Sequence, residues 1–199
     1  MLERIQKYRR DLHQIPELEL ELPKTQRYVQ ETLRDLPCTL SSPIPSSVVA
    51  FFDAGRKESI AFRSDMDALP VTEATGRAFA SRHAGRMHAC GHDAHISMLL
   101  TAARVLAEHQ DELKCTVKLI FQPAEELTNG AVKVLESGMV GKLDTVAGMH
   151  IFPYLESGTI SVDPGPRYTS ASFMNIKIIG KSGHGAMPQY AVDPIYVGA

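Results

Sequence analysis

The chain has 199 residues, 44% of them hydrophobic and 22% charged, which is ordinary for a globular protein and enough for one large domain or one and a half small ones. Its 21 basic and 23 acidic residues leave a formal charge of -2, so neither a nucleic-acid surface nor an acidic disordered tail is expected. No run approaches the roughly 18 apolar residues of a membrane span, the N-terminus lacks an apolar signal core, and Cys38, Cys90 and Cys115 are too scattered for a disulfide framework, so a soluble, reduced, cytoplasmic setting is expected.

Leu2, Ile5 and Leu12 fit an amphipathic helix that ends before Pro16. A second helix is predicted from about Pro23, burying Val29, Leu33 and Leu36, and a Ser/Pro loop follows over 41–47. Val48–Phe52 and Ser59–Phe62 read as strands joined by a turn around Asp53-Ala54-Gly55, and Thr75–Met87 reads as loop. From Asp93 to about His109, Ile96, Leu99, Leu100, Ala103, Leu106 and Ala107 recur at helical spacing. Cys115–Phe121 is a predicted strand, Ala131–Ser137 a short helix closed by Gly138, Thr145–Met149 a short buried strand, and Gly158–Val162 another strand. The turn cluster Asp163-Pro164-Gly165-Pro166 marks a boundary, so 1–166 is read as one domain and 167–199 as the beginning of another. In that second part Phe173–Ile179 alternates as a strand, Ser182–Gly185 is a loop, and Asp193-Pro194-Ile195 starts a helix.

The chemistry concentrates in three segments. Cys90 and His92 are two residues apart at the start of a predicted helix, whose positive end favours a thiolate, and His88 and His95 crowd the same stretch. Glu125 and Glu126 follow a strand and a Gln122-Pro123-Ala124 turn, so one carboxylate can bind a metal while the other takes a proton. His150 ends a short apolar strand. Thiolate, imidazole and carboxylate together are the donor set of borderline divalent metals, and strand ends are where α/β sheets place ligand sites. Asp65 and Asp67 end another strand with two-residue spacing and are expected to orient ligand imidazoles, with His95 in a supporting place. His13, His83 and His109 lie on stretches without evident partners and read as structural or surface residues.

Five segments resemble the M20 metallopeptidase family, in its branch of N-acyl-amino-acid amidohydrolases. They are Arg10-Asp11-Leu12-His13 with Pro16-Glu17; Arg63–Pro70; Met87–His95; Phe121–Glu126; and Ser182–Pro188. The resemblance implies a three-layer α/β/α sandwich of zinc-peptidase type, with the beginning of a smaller α+β lid domain that dimerises. It implies a two-metal centre of zinc, manganese, cobalt or nickel, with Cys90, His92, Glu126 and His150 as ligands and Glu125 as general base. His184 falls in the lid motif and would meet the substrate. The implied substrate is an N-acyl amino acid or short peptide, and the implied assembly a homodimer without nucleic acid or membrane. Two segments depart from the family pattern: Leu127-Thr128-Asn129-Gly130 replaces a Gly-rich stretch, and Ser182-Gly183-His184-Gly185 replaces Gly-Gly-His-Ala. The family's remaining lid and a last His ligand have no counterpart in this sequence, so the catalytic domain reads as incomplete. Two other readings compete: a Cys90–His92 nucleophile, and a metal-binding but inactive chain that associates through the strand at 173–179.

Overall fold

In a computed structural model, residues 1–127, 129–167 and 174–199 are described. The chain divides into two units, Met1–Ile160 and Ser161–Ala199.

The first unit is built on a five-stranded mixed sheet in the order β1-β2-β4-β3-β5. The strands are β1 (Thr39–Ser41), β2 (Val48–Phe52), β3 (Ser59–Asp65), β4 (Thr116–Gln122) and β5 (Thr145–Gly148). Strands β3, β4 and β5 run parallel, whereas β1–β2 and β2–β4 are antiparallel. The turn at 53–55 therefore does not close a hairpin. Residues 53–58 carry the chain past β4, a distance of about 10 Å at ordinary strand spacing, and β4 returns between β2 and β3.

Alternation along the strands sorts the core into two layers. Val48, Ala50 and Phe52 share one face with Val117, Leu119 and Phe121, and meet α1 (Leu2–His13), α2 (Pro23–Leu33) and α3 (His92–Glu108) through Leu12, Val29, Leu33, Ile96 and Leu100. Val49, Ala61 and Ile120 face the other way, against Val134 of α4 (Gly130–Glu136) and Val140. Helices thus cover both faces of a largely buried sheet. Helix α3 presents Ile96, Leu99, Leu100 and Ala103, a repeat of three and four residues, to the core. Helix α2 opens on Pro23, whose missing N–H is no loss at that position. Its next two amides, of Lys24 and Thr25, donate to the buried Glu17 carboxylate, which caps the helix from outside.

The elements at the margins differ from expectation. Strand β5 forms, but at the sheet edge, where three of its four residues are exposed rather than buried. Gly158–Val162 is not a strand; no ladder with another described segment includes it. In the second unit, residues 174–179 are not a strand either, and Phe173 lies outside the described residues. Lys181 bridges Val192, and a short helix α5 (Pro194–Gly198) is capped by Asp193, whose carboxylate accepts the Ile195 amide.

Candidate metal centre

The register of the parallel strands sets the site. Asp65 pairs with Gln122, and Arg63 with Gly148, so the carboxyl ends of β3, β4 and β5 finish level. The chain leaves them through Asp67, Glu125–Glu126 and His150, and the first turn of α3 enters beside them with His92 and His95. This is the edge where parallel sheets hold ligands.

Each donor is fixed by a local device. Gly91 caps α3 in a left-handed conformation with φ of 98°, which lets Cys90 and His92 bend toward one point. His92 is fully buried, and its Nδ1 donates to the Asp67 carbonyl at 2.7 Å, directing Nε2 into the site. The Asp67 carboxylate accepts the main-chain amides of Glu125 at 2.9 Å and Glu126 at 3.1 Å, pinning the turn that begins at Ala124 (φ 52°). Asp67 thus orients an imidazole through its main chain, while its side chain serves the glutamates. Asp65 does not reach His92 within hydrogen-bonding distance; it meets His95 Nδ1 at 2.6 Å and Arg63 Nη1 at 2.8 Å. Cys90 Sγ lies 3.4 Å from His150 Nε2, and His92 shares the same corner, the three donors falling within 4.8 Å of one another.

Among the described residues, three overlapping groups bring donor atoms within 4.8 Å of one another: Cys90–His92–His150, His92–Glu125–Glu126 and Asp65–His92–His95. The buried His92 Nε2 and Glu126 Oε1 have no hydrogen-bond partner among the described residues. A buried polar atom left unpaired is costly, and here two such atoms converge. Burial disfavours a charged His92, yet the Asp67, Cys90 and Asp65 groups around it push its imidazole up to about 11. Burial, reinforced by the charge of Glu126, raises the Glu125 carboxyl above its usual range. Asp65 is held at about 2, because His95, His92 and Arg63 overcome its burial. The residues present therefore fit a divalent metal. Beside Glu126 a cleft of about 270 Å³ is lined by Leu18, Ala68, Leu69, Pro70 and Leu127.

His184 lies in the second unit, exposed, its Nδ1 accepting the Ala186 amide. The three histidines expected to lack partners all have them. His13 is buried, with Nδ1 2.7 Å from Asp93 and Nε2 3.3 Å from Glu73; His83 meets Pro16 O and Lys24, and His109 meets Glu112. Arg63 and Gln122, joined at 2.8 Å, belong to the site's surroundings and carried no sequence signal of their own. His88 is buried, which pushes it down to about 4, and among the described residues neither of its nitrogens has a partner.

Residues 61–198 match the model of peptidase family M20/M25/M40. An IAA-amino acid hydrolase ILR1-like 4 of Arabidopsis thaliana is 41% identical over 188 residues, covering 94% of this chain and 43% of that protein. An N-acyl-L-amino acid amidohydrolase of Geobacillus stearothermophilus is 41% identical over 197 residues, covering 96% and 53%. The chain spans about half the length of the curated relatives it matches. The crystal structure of the Bacillus subtilis YXEP protein, described as a dinuclear metal binding peptidase of the M20 family, superposes with a TM-score of 0.79 at 40% identity, covering 82% of this chain and 46% of that one. With most of its length matched, and with Cys90, His92 and the Glu125–Glu126 pair inside the matched span, this chain belongs to peptidase family M20/M25/M40.

Proposed function

We propose that the chain carries the metal-binding part of an amidohydrolase that cleaves the amide bond of N-acyl amino acids. The observation that carries this reading is the pair of unpartnered buried atoms, His92 Nε2 and Glu126 Oε1, set among Cys90, His150 and Glu125. Cys90, His92, Glu126 and His150 are the ligands on this reading. Two divalent ions, of zinc, manganese, cobalt or nickel, suit a thiolate–imidazole–carboxylate set. Bound there, they supply Lewis-acid polarisation of the acyl carbonyl and acidify water.

Glu125 does the proton work. It is the more exposed of the two glutamates, and its raised pKa suits a base that accepts a proton from the attacking water and returns it to the leaving amine. The apolar cleft beside Glu126 takes the acyl group. Residues 1–166 are the catalytic domain and 167–199 belong to a lid, with His184 as a substrate-binding residue. Met174, Ile176, Ile179 and Tyr196 are strongly exposed, which supports a lid that pairs in a homodimer. The free cysteines Cys38, Cys90 and Cys115 support a reduced, cytoplasmic setting. One contact favours a second reading: the Cys90–His150 pair has the makings of a thiol nucleophile and its base.

Elemental analysis after dialysis against a weak chelator tests the proposal. About two ions per chain, with fewer in Glu126→Ala, is the expected result. Hydrolysis of N-acetyl or N-benzoyl amino acids should then disappear in Glu125→Gln with metal retained. No bound metal refutes the reading. Metal without turnover leaves a binding role, and metal-independent, iodoacetamide-sensitive hydrolysis indicates the thiol route.

A further inference from the structure

His150 stands apart from the other proposed ligands. Burial fixes His92, and Asp67 fixes the glutamates, but His150 is exposed at the end of an edge strand, between Met149 (61% exposed) and Ile151 (42%). Burial therefore does not hold it in place. What does is a hydrogen bond one residue on. The Ile151 main-chain N–H donates to His95 Nε2 at 3.0 Å, and the His95 ring meets the His150 ring edge-on at 4.5 Å between centroids.

That bond decides the state of His95. An amide N–H only donates, so Nε2 is the acceptor, and the imidazole proton sits on Nδ1, facing Asp65 Oδ1 at 2.6 Å. The other Asp65 oxygen accepts from Arg63, and Arg63 is braced by Gln122. The chain Gln122–Arg63–Asp65–His95–Ile151 links the ends of β4, β3 and β5 through α3. Asp65, His92 and His95 lie close enough to pass for a metal site, but both His95 nitrogens are engaged. His150 in turn directs Nδ1 to the Ile151 carbonyl at 2.6 Å, leaving Nε2 toward Cys90.

We propose that His95 is a positioning residue: Asp65 fixes its tautomer, its Nε2 anchors the Ile151 amide, and His150 is thereby set beside Cys90. This rests on the reading of Cys90 and His150 as metal ligands. Two substitutions separate the two bonds. His95→Gln reaches the place of Nε2 with a carbonyl oxygen and keeps the acceptor for Ile151, but gives up the donor to Asp65. His95→Asn keeps a donor near the place of Nδ1 and gives up the acceptor.

The test is a Co(II) titration of the 199-residue chain, wild type and both variants, followed by the thiolate-to-cobalt charge-transfer band, alongside NMR hydrogen exchange of the Ile151 amide. His95→Asn should weaken Co(II) binding about 10–100-fold and expose Ile151 to exchange, whereas His95→Gln should stay within about threefold of wild type and keep Ile151 protected. Equal weakening in both variants, or none in either, overturns the proposal. If the wild type binds no Co(II), the metal reading fails, and Ile151 exchange decides alone. Protection in wild type and His95→Gln but not in His95→Asn upholds the anchoring role, and equal exchange in all three overturns it.

Discussion

Replacing Asp67 with asparagine changes almost no volume and removes one acceptor from a buried junction. The side chain is 1% exposed, and each carboxylate oxygen takes one amide, Glu125 N at 2.9 Å and Glu126 N at 3.1 Å. In Asp67→Asn one oxygen remains, and an NH2 group faces the other amide, donor against donor. A hydrogen bond to a charged acceptor contributes about 1.5–3 kcal/mol, and a stranded buried amide costs about 1–3 kcal/mol. Part of this is recovered if the turn relaxes, because Ala124 is held in the left-handed region at a cost of about 1–2 kcal/mol. The net expectation is a loss of about 2 kcal/mol, or roughly 4–8 °C in Tm for a chain of this size. The Asp67 carbonyl still accepts from His92, so His92 stays in place. Urea unfolding followed by circular dichroism should show a lower midpoint at unchanged slope. A loss below about 0.5 kcal/mol would refute the view that the carboxylate holds the glutamate turn.

The buried His13–Asp93 pair makes stability depend on pH. The Asp93 hydrogen bond, with help from Glu73, raises the His13 pKa above 6.5 despite burial, so its contribution is fully present below pH 6.5 and lost as pH rises through the folded value. The stability gap between wild type and His13→Gln should shrink as pH rises above the ordinary histidine range, and a gap independent of pH would contradict this. Gly91→Ala places a Cβ at a φ of 98° and 2.2 Å from Ile151 Cδ1. The backbone term alone is about 1–2 kcal/mol, and the new methyl pushes Ile151 away from the Cys90–His92 turn. Thermal unfolding should show the loss, and Co(II) binding should weaken with it; a variant with wild-type values for both would sink the argument.

The elements read correctly from sequence are those whose signal is local. The repeat Ile96-Leu99-Leu100-Ala103 can only be one helix face, and the apolar runs in β2, β3 and β4 name themselves. Strand order was hidden, because nothing in Asp53–Glu58 tells that β4 will slot between the strands it joins. Strand β1 is three residues long, too short to alternate. Thr145–Gly148 is apolar enough to read as buried, but burial depends on a neighbour, and composition does not reveal that β5 sits at the edge. In the site, Cys90, His92 and the glutamate pair stood out by chemical rarity. The Arg63–Gln122 and His13–Asp93 contacts join residues 59 and 80 positions apart, and no local pattern encodes them. Asp67 was legible as a supporting acid, but its partners were not, since it holds main-chain amides rather than an imbalance of charge.

The glutamate turn hangs from Asp67 by its main chain alone, and those two bonds make no use of the glutamate side chains. Architecture and reactivity are therefore decoupled at this point. The turn behaves as a socket: a carboxylate can be exchanged for an amide, an alcohol or an imidazole while the peptide that presents it keeps its place. Such a layout gives evolution, or an engineer, two positions at which chemistry can vary at little expense to folding.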